Sequence, residues 1–96
     1  MDLTSAQRQV ILVHADRLLR ARDYPKTICP SEVARALSTE ELRLLGAPGW
    51  RDCMDHVRSV VWQLREEGEV EVLQKGQVVD AARLQDVRGP IRVRQR

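Results

Sequence analysis

Trp50-Arg51-Asp52-Cys53-Met54-Asp55-His56-Val57-Arg58-Ser59-Val60-Val61-Trp62-Gln63-Leu64-Arg65-Glu66-Glu67-Gly68-Glu69-Val70-Glu71-Val72 changes its hydrophobic period once, at Gly68. Before Gly68 the apolar residues Trp50, Met54, Val57, Val61 and Leu64 recur at helical spacing, with Cys53 and Val60 beside them. That spacing predicts one buried face of an α-helix over residues 50–67. Gly68 stands where a helix end needs left-handed backbone. Beyond it Glu69, Val70, Glu71 and Val72 alternate, the period of a half-buried strand. A tight Lys75-Gly76 turn then leads into Val78-Val79, so the helix runs straight into a hairpin.

Upstream, Thr4 followed by Gln7 is a capping-box pattern, and it opens a helix over residues 5–21. Ile11, Ala15 and Leu18, then Leu12 and Leu19, supply its apolar face. Arg22-Asp23-Tyr24-Pro25 ends it, because a proline restricts the residue before it to extended backbone. Pro30 suits a first helical position and Glu32 the positive end of a helix, so residues 30–37 form a second helix burying Val33, Ala34, Ala36 and Leu37. Ser38 with Glu41 opens a brief extra turn or helix through Leu42, Leu44 and Leu45, stopped by Gly46 and Pro48-Gly49. Downstream, residues 81–88 read as loop with a helical turn near Leu84, and Ile91-Arg92-Val93-Arg94 as a strand.

Three helices followed by a hairpin is the order of a winged-helix-like domain, mainly α with a small antiparallel sheet, whose second and third helices would make the helix-turn-helix pair. A chain of 96 residues builds one domain with one core, so residues 1–96 are read as a single unit. The expected core joins Trp50, Val57, Val61 and Leu64 to Ile11, Leu18 and Val33. Only Tyr24, Trp50 and Trp62 are aromatic, so Leu, Val and Ile must do most of the filling. Two cysteines make no disulfide framework. Met1-Asp2-Leu3-Thr4 lacks the basic start and apolar run of a secretory signal, and no apolar run approaches the roughly 20 residues of a membrane span. The expectation is a soluble cytoplasmic protein.

Lys26-Thr27-Ile28-Cys29-Pro30-Ser31-Glu32-Val33-Ala34-Arg35, then Trp50-Arg51 with Met54 and Val57-Arg58, form a recognisable set of motifs. Gln74-Lys75-Gly76 with Val79-Asp80, and the closing Arg88-Gly89-Pro90-Ile91-Arg92-Val93-Arg94, complete it. The set resembles the bacterial family catalogued as domain of unknown function 3253. The resemblance covers most of the chain from Lys26 onward. It implies a winged-helix-like fold and a bacterial source, and no established activity. Thr39 to Pro48 reads as longer than the family's usual link.

Cys53 and His56 lie three apart on one helix and, with Cys29 and His14, raise a zinc reading. Zinc sites need paired ligands at short spacing, and only one such pair exists. Buried structural cysteines account for both thiols. Cys29 at a helix start has no neighbouring base to activate it as a nucleophile. The five glycines stand singly at element boundaries, so there is no phosphate-cradling loop. No catalytic residue, metal, cofactor or small-molecule ligand is indicated.

Charge is more informative. Residues 1–73 hold 10 basic and 12 acidic side chains, whereas residues 74–96 hold six basic and two acidic. Lys75 at the hairpin tip, Arg88, and Arg92, Arg94 and Arg96 on one strand face are the candidate nucleic-acid contacts. Cross-strand pairing with Glu69 and Glu71 is the plain alternative for two of those arginines. On the 50–67 helix, Arg51, Arg58, Trp62 and Arg65 line one flank, while Asp52, Asp55, Ser59, Gln63 and Glu66 lie opposite the core. Carboxylates there repel phosphates and oppose insertion into a major groove. The arginine flank is also open to a plain reading as Arg58–Glu66 and Arg51–Asp55 pairs. Trp62 stands off the core stripe, where it either covers the hairpin base or meets a partner. The leading expectation is therefore a non-catalytic binding module that contacts DNA or RNA through the wing and basic C-terminal strand. The alternative is a protein-interaction or dimerisation module using the Arg51, Arg58, Trp62 and Arg65 flank.

Overall fold

The computed structural model describes residues 3–96, so the reading of Met1-Asp2 lies outside the described residues. In chain order come α1 (Ser5–Arg20), α2 (Pro30–Ala36), α3 (Thr39–Leu44) and a 3-10 turn (Trp50–Cys53) that continues into α4 (Met54–Glu66). Then follow β1 (Val70–Gln74), β2 (Gln77–Val78), a second 3-10 turn (Leu84–Asp86) and β3 (Arg92–Gln95). The fold is mainly α with a small antiparallel sheet.

Side chains fix the helix starts. Thr4 Oγ1 accepts the Gln7 N–H at 3.1 Å, and Gln7 Oε1 accepts the Thr4 N–H at 2.9 Å. Ser38 and Glu41 repeat this reciprocal pair at 3.1 and 2.8 Å, which makes the segment after α2 a helix of its own. At α2 the Glu32 carboxylate accepts the Cys29 N–H at 2.7 Å, and Pro30 takes the first helical position. Caps of this kind each contribute about 1 kcal/mol.

β1 is the central strand, in the order β2-β1-β3, with both pairings antiparallel. Lys75 (φ 51°) and Gly76 (φ 79°) both take left-handed backbone. Such a two-residue turn matches the twist of the strands it joins. β3 pairs with β1 through Leu73↔Arg92, Glu71↔Arg94, Val72↔Val93 and Val70↔Gln95. Ile28, ahead of α2, bridges to Val93 on the far side of β3: its N–H donates to the Val93 carbonyl at 2.7 Å and its carbonyl accepts the Val93 N–H at 2.9 Å. Between β2 and β3 lies a long connection, residues 79–91.

One core joins all these layers. Ile11, Ile28, Val33, Val57, Val60, Val61, Val72, Ile91 and Val93 are fully buried. Three expected members, Trp50, Leu18 and Leu64, are only half-buried and pack on the rim. For Trp50 the reason is local. Residues 50–53 wind as a 3-10 turn, about three residues per turn and not 3.6, which rotates Trp50 off the stripe continued by α4.

Candidate functional site

Arg58, Trp62 and Arg65 occupy successive turns of one edge of α4, and the structure does bring them together. Arg58 Nη1 donates to the Gly89 carbonyl at 3.1 Å, and Arg65 Nη2 donates to the Val79 carbonyl at 3.2 Å. The 79–91 connection thus runs antiparallel along this edge, with Val79 beside Arg65 and Gly89 beside Arg58. Trp62 lies beneath it at 8% exposure, with the Arg65 guanidinium 4.2 Å over its ring. Val87 is buried and Val79, Ala81 and Leu84 pack against the core. Gln74 Nε2 completes the attachment, donating to the Arg88 carbonyl at 2.6 Å and the Pro90 carbonyl at 3.3 Å. The flank therefore holds the chain's own connection, and Trp62 has the packing role. The Arg58–Glu66 and Arg51–Asp55 pairs are not among the ion pairs of the described residues; Arg65 pairs with Glu66 at 2.9 Å instead. Arg51 lies over the Trp50 ring at 4.5 Å, where Arg35 of α2 joins it at 4.7 Å.

The other side of α4 is open. Asp52, Asp55, Ser59, Gln63 and Glu66 are exposed, as their placement opposite the core predicts. A groove of about 790 Å³ runs here between the start of α1, α4 and residues 82–85, with His56, Ser59, Gln63 and Glu66 along one wall. Arg8 crosses it, donating to Gln63 Oε1 at 2.6 Å and pairing with Glu67 at 3.6 Å.

The five candidate nucleic-acid contacts separate into three groups. Lys75 is exposed in the hairpin turn and Arg88 on the turn that Gln74 holds. Arg92 lies opposite Leu73, its Nε donating to Thr27 Oγ1 at 3.0 Å and its Nη2 to the Thr27 carbonyl at 3.4 Å. These three share one end of the sheet, and none makes an ion pair among the described residues. Arg94 meets Glu71 across the strands at 2.8 Å and covers Tyr24 at 5.0 Å, so one of the cross-strand pairs forms. Arg96 stands at the opposite end, its N–H donating to the Glu69 carbonyl. Four residues of strand, about 13 Å, separate Glu69 from Leu73.

The thiols and imidazoles are dispersed among the elements. Cys53 is buried, donating to the Trp50 carbonyl at 3.0 Å, and burial pushes its thiol pKa up. Cys29 Sγ accepts from Ser31 Oγ at 3.0 Å. His14 Nε2 meets Glu41 at 2.9 Å, and His56 lines the groove. Backbone donation from Ser38, with His14 added, holds the Glu41 carboxyl below its ordinary value. Burial alone would raise Glu32, but the Cys29 N–H, Arg22 and the nearby Arg92 outweigh it and lower its pKa. Among the described residues, no helix is long and apolar enough to cross a membrane.

A family model with the description "Protein of unknown function (DUF3253)" matches residues 8–96. The chain belongs to this family. The DUF3253 match begins inside α1 and includes the α4 edge, the connection and β3. No curated protein matches the chain. Two features of this DUF3253 chain escape a reading of the sequence alone, the Arg35–Trp50–Arg51 cluster and the role of Gln74. Gln74 left a trace, since Gln74-Lys75-Gly76 and Arg88-Gly89-Pro90 are distinct motifs that meet through its side-chain amide. Arg35 and Trp50 are 15 residues apart, with α3 between them, and no local pattern joins them.

Proposed function

We propose that this protein is a non-catalytic, winged-helix-like binding module of the bacterial cytoplasm that contacts nucleic acid through phosphates, without reading bases with α4. In this reading β2, β1 and β3 with the Ile28 bridge form the small sheet, the β1–β2 hairpin with its tip at Lys75-Gly76 is the wing, and α2 and α4 are the helix-turn-helix pair. The observation that carries it is the contrast between Lys75, Arg88 and Arg92, which gather at one end of the sheet and form no ion pair among the described residues, with Glu32 the one carboxylate near Arg92, and the acidic open face of α4. Arg94 contributes less because Glu71 already neutralises it. Arg96 lies too far along the sheet to join the three, and would meet a separate phosphate. The alternative, a protein-interaction module on the Trp62 edge, is less favoured because Trp62 itself is only 8% exposed and Arg58 and Arg65 are engaged with carbonyls of the connection.

Titration of a labelled random-sequence duplex at several salt concentrations tests this. Affinity should fall with a log–log slope near −0.9 for each phosphate neutralised. Changing Lys75, Arg88 and Arg92 together to Ala should weaken binding equally for all sequences, and Ser59→Ala should change nothing. Absence of binding at micromolar protein in low salt would eliminate the proposal.

A further inference from the structure

Arg35 and Arg51 lie outside the wing cluster, and among the described residues they are the one pair of guanidiniums that share a single aromatic ring. Both are exposed, and among the described residues neither makes an ion pair or a side-chain hydrogen bond. Arg8, Arg20, Arg22, Arg65, Arg83 and Arg94 all reach carboxylates. Two of the nearby acids are engaged elsewhere: Glu32 accepts from Arg22 and the Cys29 N–H, and Asp52 accepts the Gly49 N–H. Asp55 is the exposed acid that remains one turn beyond Arg51.

The Trp50 ring orients the two guanidiniums. A guanidinium held over an indole keeps its edge N–H groups free, and that planar fork matches a phosphate. Their Cζ atoms, at 4.7 and 4.5 Å from one ring centroid, are at most about 9 Å apart. Fixing both side chains beforehand lowers the ordering cost of binding. Arg51, in the 3-10 turn that leads into α4, precedes Arg58 by seven residues, on the order of 10 Å of helix. Arg58 in turn touches Gly89, next to Arg88 of the wing cluster. The arginine edge of α4 therefore connects the two places.

The aromatic residues indicate which form of nucleic acid fits. Proteins that hold single strands offer aromatic faces on which bases stack. Here Trp62 is buried and Trp50 is half-buried beside two guanidiniums, which leaves Tyr24, 63% exposed, as a lone open aromatic face where a single-strand groove offers several in succession. We infer that Arg35 and Arg51, aligned by Trp50, form a second phosphate-binding site, and that the ligand is a duplex held by its backbone at this site and at the wing. This rests on the function proposed above.

The experiment compares a labelled random duplex with a single strand of equal length between about 50 and 200 mM salt. Wild-type protein should bind the duplex more tightly. The R35A/R51A double variant, checked by its thermal melt, should lose on the order of tenfold in duplex affinity, with a salt slope shallower by about 1.8. Trp50→Phe keeps both charges and weakens the alignment, so it should lose less affinity and keep the slope. Wild-type affinity and slope in R35A/R51A, alongside loss in the Lys75, Arg88 and Arg92 variant, would overturn the second site and leave the wing proposal standing. Tighter binding of the single strand would overturn the choice of duplex. No binding of either by wild-type protein would remove the wing proposal itself.

Discussion

The N-terminal helices and the C-terminal sheet with its connection are tied together by different chemistry. In the first region two of the three side-chain ties between elements end on carboxylates: Arg22–Glu32 at 2.7 Å joins the end of α1 to α2, and His14–Glu41 at 2.9 Å joins α1 to α3, while Gln7 Nε2 donates to the Leu44 carbonyl at 3.0 Å. In the second they end mostly on backbone carbonyls. Arg58 reaches Gly89, Arg65 reaches Val79, Gln74 reaches Arg88 and Pro90, and Arg92 reaches Thr27. A carboxylate titrates in acid and a carbonyl does not. A tie that neutralises no charge also leaves its cation attractive to an anion. The two regions should therefore respond differently to acid, and the second is the one that keeps positive charge at its surface.

The sharpest test of this contrast is Trp62→Ala, which removes the floor of the connection. It should cost about 3–5 kcal/mol in a urea titration, with the amides of residues 79–91 exchanging faster. A loss below about 1 kcal/mol would mean the connection is held without Trp62. Arg58→Ala tests a single carbonyl tie at the exposed surface and should cost about 1 kcal/mol. Its effect should be confined to exchange rates in the connection, and the same at pH 7 and in acid. Spread of that effect into α1 and α2 would erase the distinction between the regions.

The smallest effect concerns the carboxylates. Glu32 and Glu41 both have folded pKa values below the ordinary 4.5, so the unfolded chain binds more protons than the folded chain as acid is added. Their contribution is full above about 4.5 and is lost as pH falls through the folded values. The E32Q/E41Q variant should lose about 1 kcal/mol at neutral pH relative to wild type, and distinctly less in acid below about 4.5, by urea denaturation at both. An equal loss at both pH values would mean that packing, and not ionisation, accounts for it.

Features determined by a few neighbouring residues were legible in the sequence. The Thr4/Gln7 and Ser38/Glu41 caps, the α4 stripe and the Lys75-Gly76 turn each follow from spacing within one turn of chain. The acidic open face of α4 was legible for the same reason. Trp62 was only half legible. It lies away from the helix's own core stripe, and its burial depends on residues 79–89, which carry neither helical nor strand period. Arg92 and Arg96 look alike within the alternation of the last strand, but pairing with β1 puts them at opposite ends of the sheet. Register, which depends on distant partners, separated residues that composition had grouped.

The shortness of β2 has a consequence for self-association. On one side the sheet ends at β3, where the Ile28 bridge occupies the edge. On the other it ends at Gln77–Val78, two residues with Val78 half exposed. A long apolar strand in that position would offer a row of unpaired N–H and C=O groups on which a second chain could add. Two residues, followed at once by a connection that turns away to lie along α4, provide too short a template for cross-chain ladder growth. An apolar side chain can thus remain in water here without nucleating fibrils.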